Sequence, residues 1–141
     1  MGNQLSLNKI NFEDIQDVIK NKHNYILIST LGPSLQNCLI KETIPLEKEE
    51  ALINELIQQK KMSKAIVIYG KNASDESIYN KYDQLIKLGF SNVFLYCGGM
   101  FEWLMLQDIF GDDIFLTNKK ELDFLKYKSN QIFNKLYITN D

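Results

Sequence analysis

The chain contains no arginine: its 16 basic residues are all lysine, set against 18 Asp and Glu. Lysine is a mobile point charge, whereas arginine offers a rigid planar fork to carboxylate or phosphate. Chemistry that depends on bidentate guanidinium contacts is therefore excluded. Histidine is almost as scarce. His23 stands in the polar run Lys20-Asn21-Lys22-His23-Asn24 and reads as a solvated loop residue. The two cysteines, Cys38 and Cys97, are far apart and fit neither a CxxC nor a zinc spacing. A protein-built transition-metal site is not expected, and no cofactor is called for. No apolar run approaches the ~20 residues that cross a bilayer. Met1 to Lys9 also lacks the hydrophobic core of a cleavable signal, so a reducing, cytoplasmic setting with free thiols is expected. With a net charge of -2 and a pI near 5.5, the chain is no polycation, and a nucleic-acid partner is not expected.

What is present suffices for one globular domain. The 141 residues are 45% hydrophobic and 24% charged. They show no internal repeat and no low-complexity linker. The expected organisation is an N-terminal segment over 1–8, a domain over 9–128 and a tail over 129–141. The N-terminal segment begins Met1-Gly2-Asn3-Gln4-Leu5-Ser6, the pattern of an N-myristoylation signal. Gly2 is needed there because the acyl chain is attached to its freed amine and no side chain can intrude. One myristoyl chain gives only reversible membrane affinity, on the order of 10⁴ M⁻¹. The flanking segment offers Lys9 but also Glu13 and Asp14, so the expected second contact is a protein partner.

Along the chain, Asn11 reads as a helix cap with Glu13 and Asp14 in the first turn. Strands are expected at 25–28, 65–69 and 92–96, with a short one at Cys38-Leu39-Ile40. Helices are expected from Glu47 to Lys61, from Asp75 to Leu88 with Ser74 as cap, from Met100 to Ile109, and over Lys119–Lys128. Strands alternating with helices imply right-handed crossovers and a parallel sheet with helices on both faces. Binding sites in such sheets form in the loops at the carboxyl ends of the strands. Those are the loops after Ile28, Tyr69 and Tyr96.

Between Ile66 and Trp103 the sequence joins an Ile-Val-Ile-Tyr strand, a six-residue loop and a helix to Leu88-Gly89-Phe90-Ser91-Asn92-Val93. Gly98-Gly99-Met100-Phe101-Glu102-Trp103 follows. This arrangement resembles the rhodanese-like domain, over Lys9 to about Gly111. The segment Leu39-Ile40-Lys41-Glu42-Thr43-Ile44-Pro45 is similar to a worn form of the family's His-Ile-Pro-Gly-Ala. The Lys, Asn and Ile usage also resembles divergent rhodanese-like proteins of large DNA viruses.

The resemblance implies a site in the loop after the central strand, where the family places a Cys that carries a persulfide. In related phosphatases a slightly longer loop holds phosphate with a Cys and an Arg. Here the Cys position is Gly70, and the loop continues Lys71-Asn72-Ala73-Ser74-Asp75. The family's Asp-x-Arg after the first long strand reads Ser29-Thr30-Leu31. Asp75 and Glu76 bring carboxylates to a helix start where an anion would dock. The expectation is a degenerate active-site loop, Gly70 to Asp75, on a non-catalytic binding or scaffold module with no metal and no cofactor.

Two other readings stand beside it. One is a sulfurtransferase or redox enzyme using Cys97 as a relocated thiol. The other is a structural component of a virion or membrane assembly. Cys38 reads as packing. Ser74 and Ser77 read as caps or surface residues, Tyr69, Tyr79 and Tyr82 as core and helix-face residues, and Phe101 and Trp103 as packing for the last long helix. Asp108, Asp112 and Asp113 read as a solvated acidic turn. One prediction needs nothing beyond these residues: intact-mass analysis of the chain made alongside the acyltransferase shows an added myristoyl group. An unmodified N-terminus, or loss of Met1 alone, contradicts it.

Overall fold

A computed structural model describes residues 7–133. The elements run β1 (Lys9–Ile10), α1 (Phe12–Lys20), β2 (Tyr25–Ser29), a 3₁₀ turn (Pro33–Leu35), α2 (Leu46–Gln58), β3 (Ala65–Tyr69), α3 (Ser77–Lys87), β4 (Val93–Tyr96), α4 (Gly99–Phe110) and a second 3₁₀ turn (Phe124–Tyr127). The four strands are all parallel, in the order β1-β4-β3-β2.

The central strand β3 is apolar throughout because both of its faces are covered. Its side chains alternate. Val67 and Tyr69 join α1 and α4 in one core with Ile15, Val18, Met100 and Trp103. Ile66 and Ile68 join α2 and α3 in the other, with Ile53, Leu56, Ile78 and Leu85. The parallel sheet with helices on both faces is thus the architecture observed. Trp103 is fully buried and edge-on to both Tyr96 and Phe115.

The helix ends follow local chemistry. Asn11 accepts from the N–H groups of Glu13 and Asp14 while Asp14 accepts from Asn11, a complete capping box. At the end of α3, Gly89 (φ 108) donates to Ile86 O and Phe90 to Leu85 O, the paired bonds of a Schellman turn. The end of α2 makes the same pair, Lys60 to Ile57 O and Lys61 to Leu56 O, but its left-handed residue is Lys60 at φ 58. Glu42 (φ 72) is the other non-glycine residue in that region among those described.

Three expectations need correction, and one element was not expected. Cys38-Leu39-Ile40 forms no strand; only an isolated antiparallel bridge from Ile40 to Thr117 is made. The Lys119–Lys128 helix reduces to the 3₁₀ turn Phe124–Tyr127, where Lys126 ion-pairs with Glu121 instead of extending a helix. Ser74 is not a cap: α3 starts at Ser77, after Glu76, which makes no side-chain cap bond. An unforeseen two-residue strand, β1, pairs with β4. The acyl-acceptor Gly2 lies outside the described residues, as does the tail from 134.

Tyr69 ties the sheet to the segment after β2. Its hydroxyl accepts from Ile40 N at 3.1 Å and lies 2.8 Å from Thr43 Oγ1, with the ring fully buried. Burial pushes this phenol well above its ordinary range. Tyr69→Phe should cost about 1–3 kcal/mol in urea unfolding, because Ile40 N–H is left buried without its partner. An unchanged midpoint would mean that the bond carries no stability.

Candidate functional site

The loop after β3 is built by two close approaches. The first comes from α4. Gly99 has φ 69, and a Cβ there would fall 2.8 Å from Gly70 O and 2.9 Å from Asn72 N. Only glycine permits that contact. It brings the first N–H groups of α4 onto the loop, where Met100 N donates to Gly70 O and Phe101 N to Lys71 O, both at 2.9 Å. The Gly-Gly-Met stretch thereby fixes the loop from one side.

The second approach comes from inside the loop. Asp75 Oδ2 accepts from Lys71 N at 2.8 Å, and Oδ1 accepts from Ser77 N at 2.9 Å and Ser77 Oγ at 2.6 Å. The Ser77 hydroxyl also lies 2.7 Å from Thr30 Oγ1, at the end of β2. A Cβ built on Gly70 would meet Asp75 Oδ2 at 2.5 Å and Thr30 Oγ1 at 2.9 Å. The space in front of Gly70 is therefore filled by a carboxylate and a hydroxyl. Gly70 has no left-handed φ, so its backbone does not demand glycine.

Two further loop donors are engaged. Ser74 N donates to Asn72 Oδ1 at 2.9 Å and Asp75 N to Asn72 O at 3.1 Å. Asn72 is buried and donates through Nδ2 to Tyr127 O at 2.8 Å, which ties the loop to the second 3₁₀ turn. Phe101 stacks edge-on against Phe124 in that turn. The Tyr127 ring is buried, and its hydroxyl has no hydrogen-bond partner among the described residues. Burial, with Cys38 and Glu121 nearby, pushes the phenol up to about 12.

The structure places Lys71 and Asp75 partly buried, with Ala73 and Ser74 exposed at the tip. Beside them a cleft of about 230 Å³ is lined by Lys71, Ser74, Asp75 and Lys128. A wider groove of about 670 Å³ runs from Thr30 and Ser77 along α2 and α3, crossed by the Lys81–Glu49 ion pair. Thr30 is the residue that sequence reasoning missed, and Ser77, expected as a cap or surface residue, instead bonds Asp75 and Thr30. Thr30 was visible only as the middle of Ser29-Thr30-Leu31, and nothing local tied it to a serine 47 residues away.

Cys97 belongs to a different place. It is partly buried on the α3 side of the sheet, with its sulfur 3.8 Å from Tyr79 Oη. The hydrogen bond to Cys97 pushes the Tyr79 phenol up, and Lys9 from β1 pulls it back. Cys97 has no recorded bond to a loop N–H among the described residues. Cys38 is buried and donates to Lys119 O at 3.2 Å; burial raises its pKa above the ordinary thiol value. Asp112 pairs with Lys120, and His23 is exposed, its carbonyl accepting from Lys64 Nζ. Among the described residues no group of His, Cys, Asp or Glu is arranged to hold a metal ion. No helix among them is long and apolar enough to cross a membrane.

A parallel sheet with helices on both faces, its central strand ending in a short loop backed by a glycine-started helix, is a doubly wound α/β domain. Within that class the rhodanese-like domain model matches residues 10–106, and the chain belongs to the rhodanese-like family. No curated protein matches it. Solved structures are similar in fold. A Bacillus halodurans protein is 19% identical, with 94% of this chain and 91% of that one covered and a TM-score of 0.56. A single-domain sulfurtransferase of Saccharomyces cerevisiae is 14% identical, with 80% and 98% covered and a TM-score of 0.56. A yeast protein tyrosine phosphatase of the rhodanese family is also 14% identical, with 84% and 97% covered and the same TM-score of 0.56. Equal likeness to a sulfurtransferase and to a phosphatase means that fold alone does not choose a chemistry.

The loop carboxylate carries a pH signature. Burial works against its charge, but the Ser77 hydroxyl, the Lys71 and Ser77 N–H groups and the Lys71 ammonium outweigh it and hold Asp75 below the usual carboxylate range. A lowered folded pKa stabilises the fold above the unfolded value, and that stabilisation is lost as pH falls through the folded value. Asp75→Asn should lower the urea midpoint near pH 7 and flatten its fall below about pH 4. A parallel acid profile for the two proteins would show that Asp75 contributes no such linkage.

Proposed function

We propose that this chain is a non-catalytic rhodanese-like binding module, N-myristoylated at Gly2 and reversibly associated with a membrane. The observation that carries the first part is the Asp75 carboxylate folded into the space in front of Gly70. A sulfurtransferase of this family needs three things at that place: a thiolate, room for the sulfur it carries, and free N–H groups to stabilise an anion. Here Gly70 offers no thiol, Asp75 and Thr30 fill the room, and Lys71 N donates to Asp75. A fixed carboxylate also repels an incoming thiosulfate or phosphate.

The loop then serves as part of a surface. Its exposed tip, Ala73 and Ser74, adjoins Lys128 and Asn130 and offers a small polar patch to a protein partner. Cys97 does not rescue the chemistry in this reading, because its sulfur faces Tyr79 and not the loop. The Met1-Gly2-Asn3-Gln4-Leu5-Ser6 pattern supports acylation, and the described chain starts at Leu7, at the edge of the sheet away from the loop.

A thiosulfate:cyanide assay tests the reading. The expected result is no turnover above background for the wild type and for Gly70→Cys alone. The added side chain must also displace Asp75, so Gly70→Cys should lose about 1–3 kcal/mol of stability. Robust turnover by the wild type that disappears in Cys97→Ala would overturn the reading.

A further inference from the structure

We infer that the end of the sheet opposite the loop is a docking face for anionic lipid headgroups, built from lysines that are scattered in the sequence. The inference rests on the membrane-associated reading above for its setting, and on the placement of these lysines for its content. All strands are parallel, and α1, α2 and α3 each return to the start of the next strand, so their C-terminal ends gather at one edge of the sheet. Three turns meet there. One is 20–24, with Lys20 and Lys22. The second is 59–64, with Lys60, Lys61 and Lys64. The third is 87–92, with Lys87.

Contacts join the three turns into one surface. Lys64 Nζ donates to His23 O at 2.7 Å, and Ser91 N donates to Met62 O at 3.1 Å. A Cβ on Gly89 would touch the Met62 methyl at 3.2 Å. None of the three turns contains an Asp or Glu. Glu42 lies 3.9 Å from Lys22, and Asp17, Glu55 and Asp83 stand one turn inside α1, α2 and α3. Lys20, Lys22, Lys60, Lys61 and Lys87 are exposed, and among the described residues only Lys22 of these five is ion-paired. Leu88, 47% exposed, adds an apolar side chain among the ammonium groups.

Two further observations give this face an occupant. The first is where the first described residues lie. Leu95 N donates to Asn8 O and Asn8 Nδ2 to Val93 O, so Leu7 and Asn8 stand beside the start of β4, at this same end. A lipid on Gly2 would be tethered by only a few residues to the lysine face. The second is Lys60, which holds φ 58 in the turn closing α2, where glycine is the ordinary choice. A lysine retained in that conformation keeps a charge on the face that glycine would remove. Acids meanwhile stand in the first turns of α1, α2 and α4 and just before α3. A molecule of net charge -2 is therefore polarised and presents its basic end to a negative surface. One acyl chain anchors only marginally, and a basic surface is the kind of second signal that makes anchoring firm.

The test uses the full chain, made with and without the acyltransferase and checked by intact mass, sedimented with phosphatidylcholine vesicles that contain or lack phosphatidylserine. A lysine at an anionic surface contributes about fivefold in affinity, so phosphatidylserine should raise binding of the acylated chain roughly tenfold or more. High salt should remove the increment. Changing Lys22, Lys60, Lys61 and Lys64 to Glu, or to Gln as the milder set, should abolish the increment and leave binding to neutral vesicles unchanged. Changing Lys119, Lys120 and Lys128 to Glu should retain most of it. Thermal unfolding confirms that each variant is folded. Equal binding to both vesicle types, or an increment that survives in the fourfold variants, overturns the docking face while leaving acylation intact. A chain that mass analysis shows unacylated, yet that still binds phosphatidylserine weakly through these lysines, supports the face and removes the acyl reading.

Discussion

The carboxylate of Asp75 is the contact on which the loop after β3 turns. It accepts from the N–H at the loop's entry and from the N–H and hydroxyl of Ser77 at the start of α3, closing both ends of the segment onto one side chain. A loop of this kind ordinarily has backbone donors looking for an acceptor, and an anionic ligand is one solution. Asp75 is an internal solution. With it in place, α3 needs no capping side chain from Glu76, and Thr30 gains a hydroxyl partner across the sheet edge. Gly70 follows from the same arrangement, since any larger residue would contend with Asp75 and Thr30 for the same volume. In the proposed reading, Gly70 at the nucleophile position and the acidic loop end are one coupled arrangement, not two independent features.

The two apolar cores are built without the loop. β3 buries apolar side chains on both faces, and the cores beneath α1/α4 and α2/α3 include no residue of the loop. The α4 end of the loop is held by backbone groups, through Gly99 and the N–H groups of Met100 and Phe101, whatever side chain stands at position 70. The Gly-Gly-Met stretch and the Leu-Gly-Phe turn thus shape the backbone independently of the side chain at position 70. The Schellman bonds at Gly89 require glycine for φ, and the contact at Gly99 requires it for φ and for space.

How much was legible from the sequence follows from the range of each interaction. The long apolar strands and the helices with a clean stripe were readable because their signals are local. β1 was not, because two residues carry no periodicity and Lys9–Ile10 pairs only because β4 has a free edge. Cys38-Leu39-Ile40 looked like a strand because it is apolar, yet it is buried by packing, with Ile40 N bound to Tyr69 Oη instead of a neighbouring strand. At the loop, Gly70 and Asp75 could be singled out one by one. That Asp75 folds back in front of Gly70, and that Thr30 and Ser77 complete the set, depends on contacts spanning up to 47 residues. The lysine face is the extreme case: beside Gly2 the local segment reads as charge-balanced, and the basic surface exists only after three crossovers bring three turns together.

The two ends of the sheet therefore carry opposite assignments, and the topology enforces the separation. Parallel strands put every β→α loop at one end and every α→β turn at the other. Helix dipoles favour acids at the first end and lysines at the second, and each helix complies to some degree. In an enzyme of this architecture the acids at the first end would hinder an anionic substrate, so chemistry would oppose what helix capping favours. With Asp75 closing the loop, that opposition disappears, and charge can polarise along the strand axis without functional penalty. In the proposed reading, with Leu7 at the basic end a few residues from Gly2, a membrane docked there leaves the Ala73–Ser74 tip and the groove along α2 and α3 clear for a protein. In the proposed reading, the loop closed by Asp75 and the lysines gathered at the opposite end follow from one distribution of charge along the strand axis.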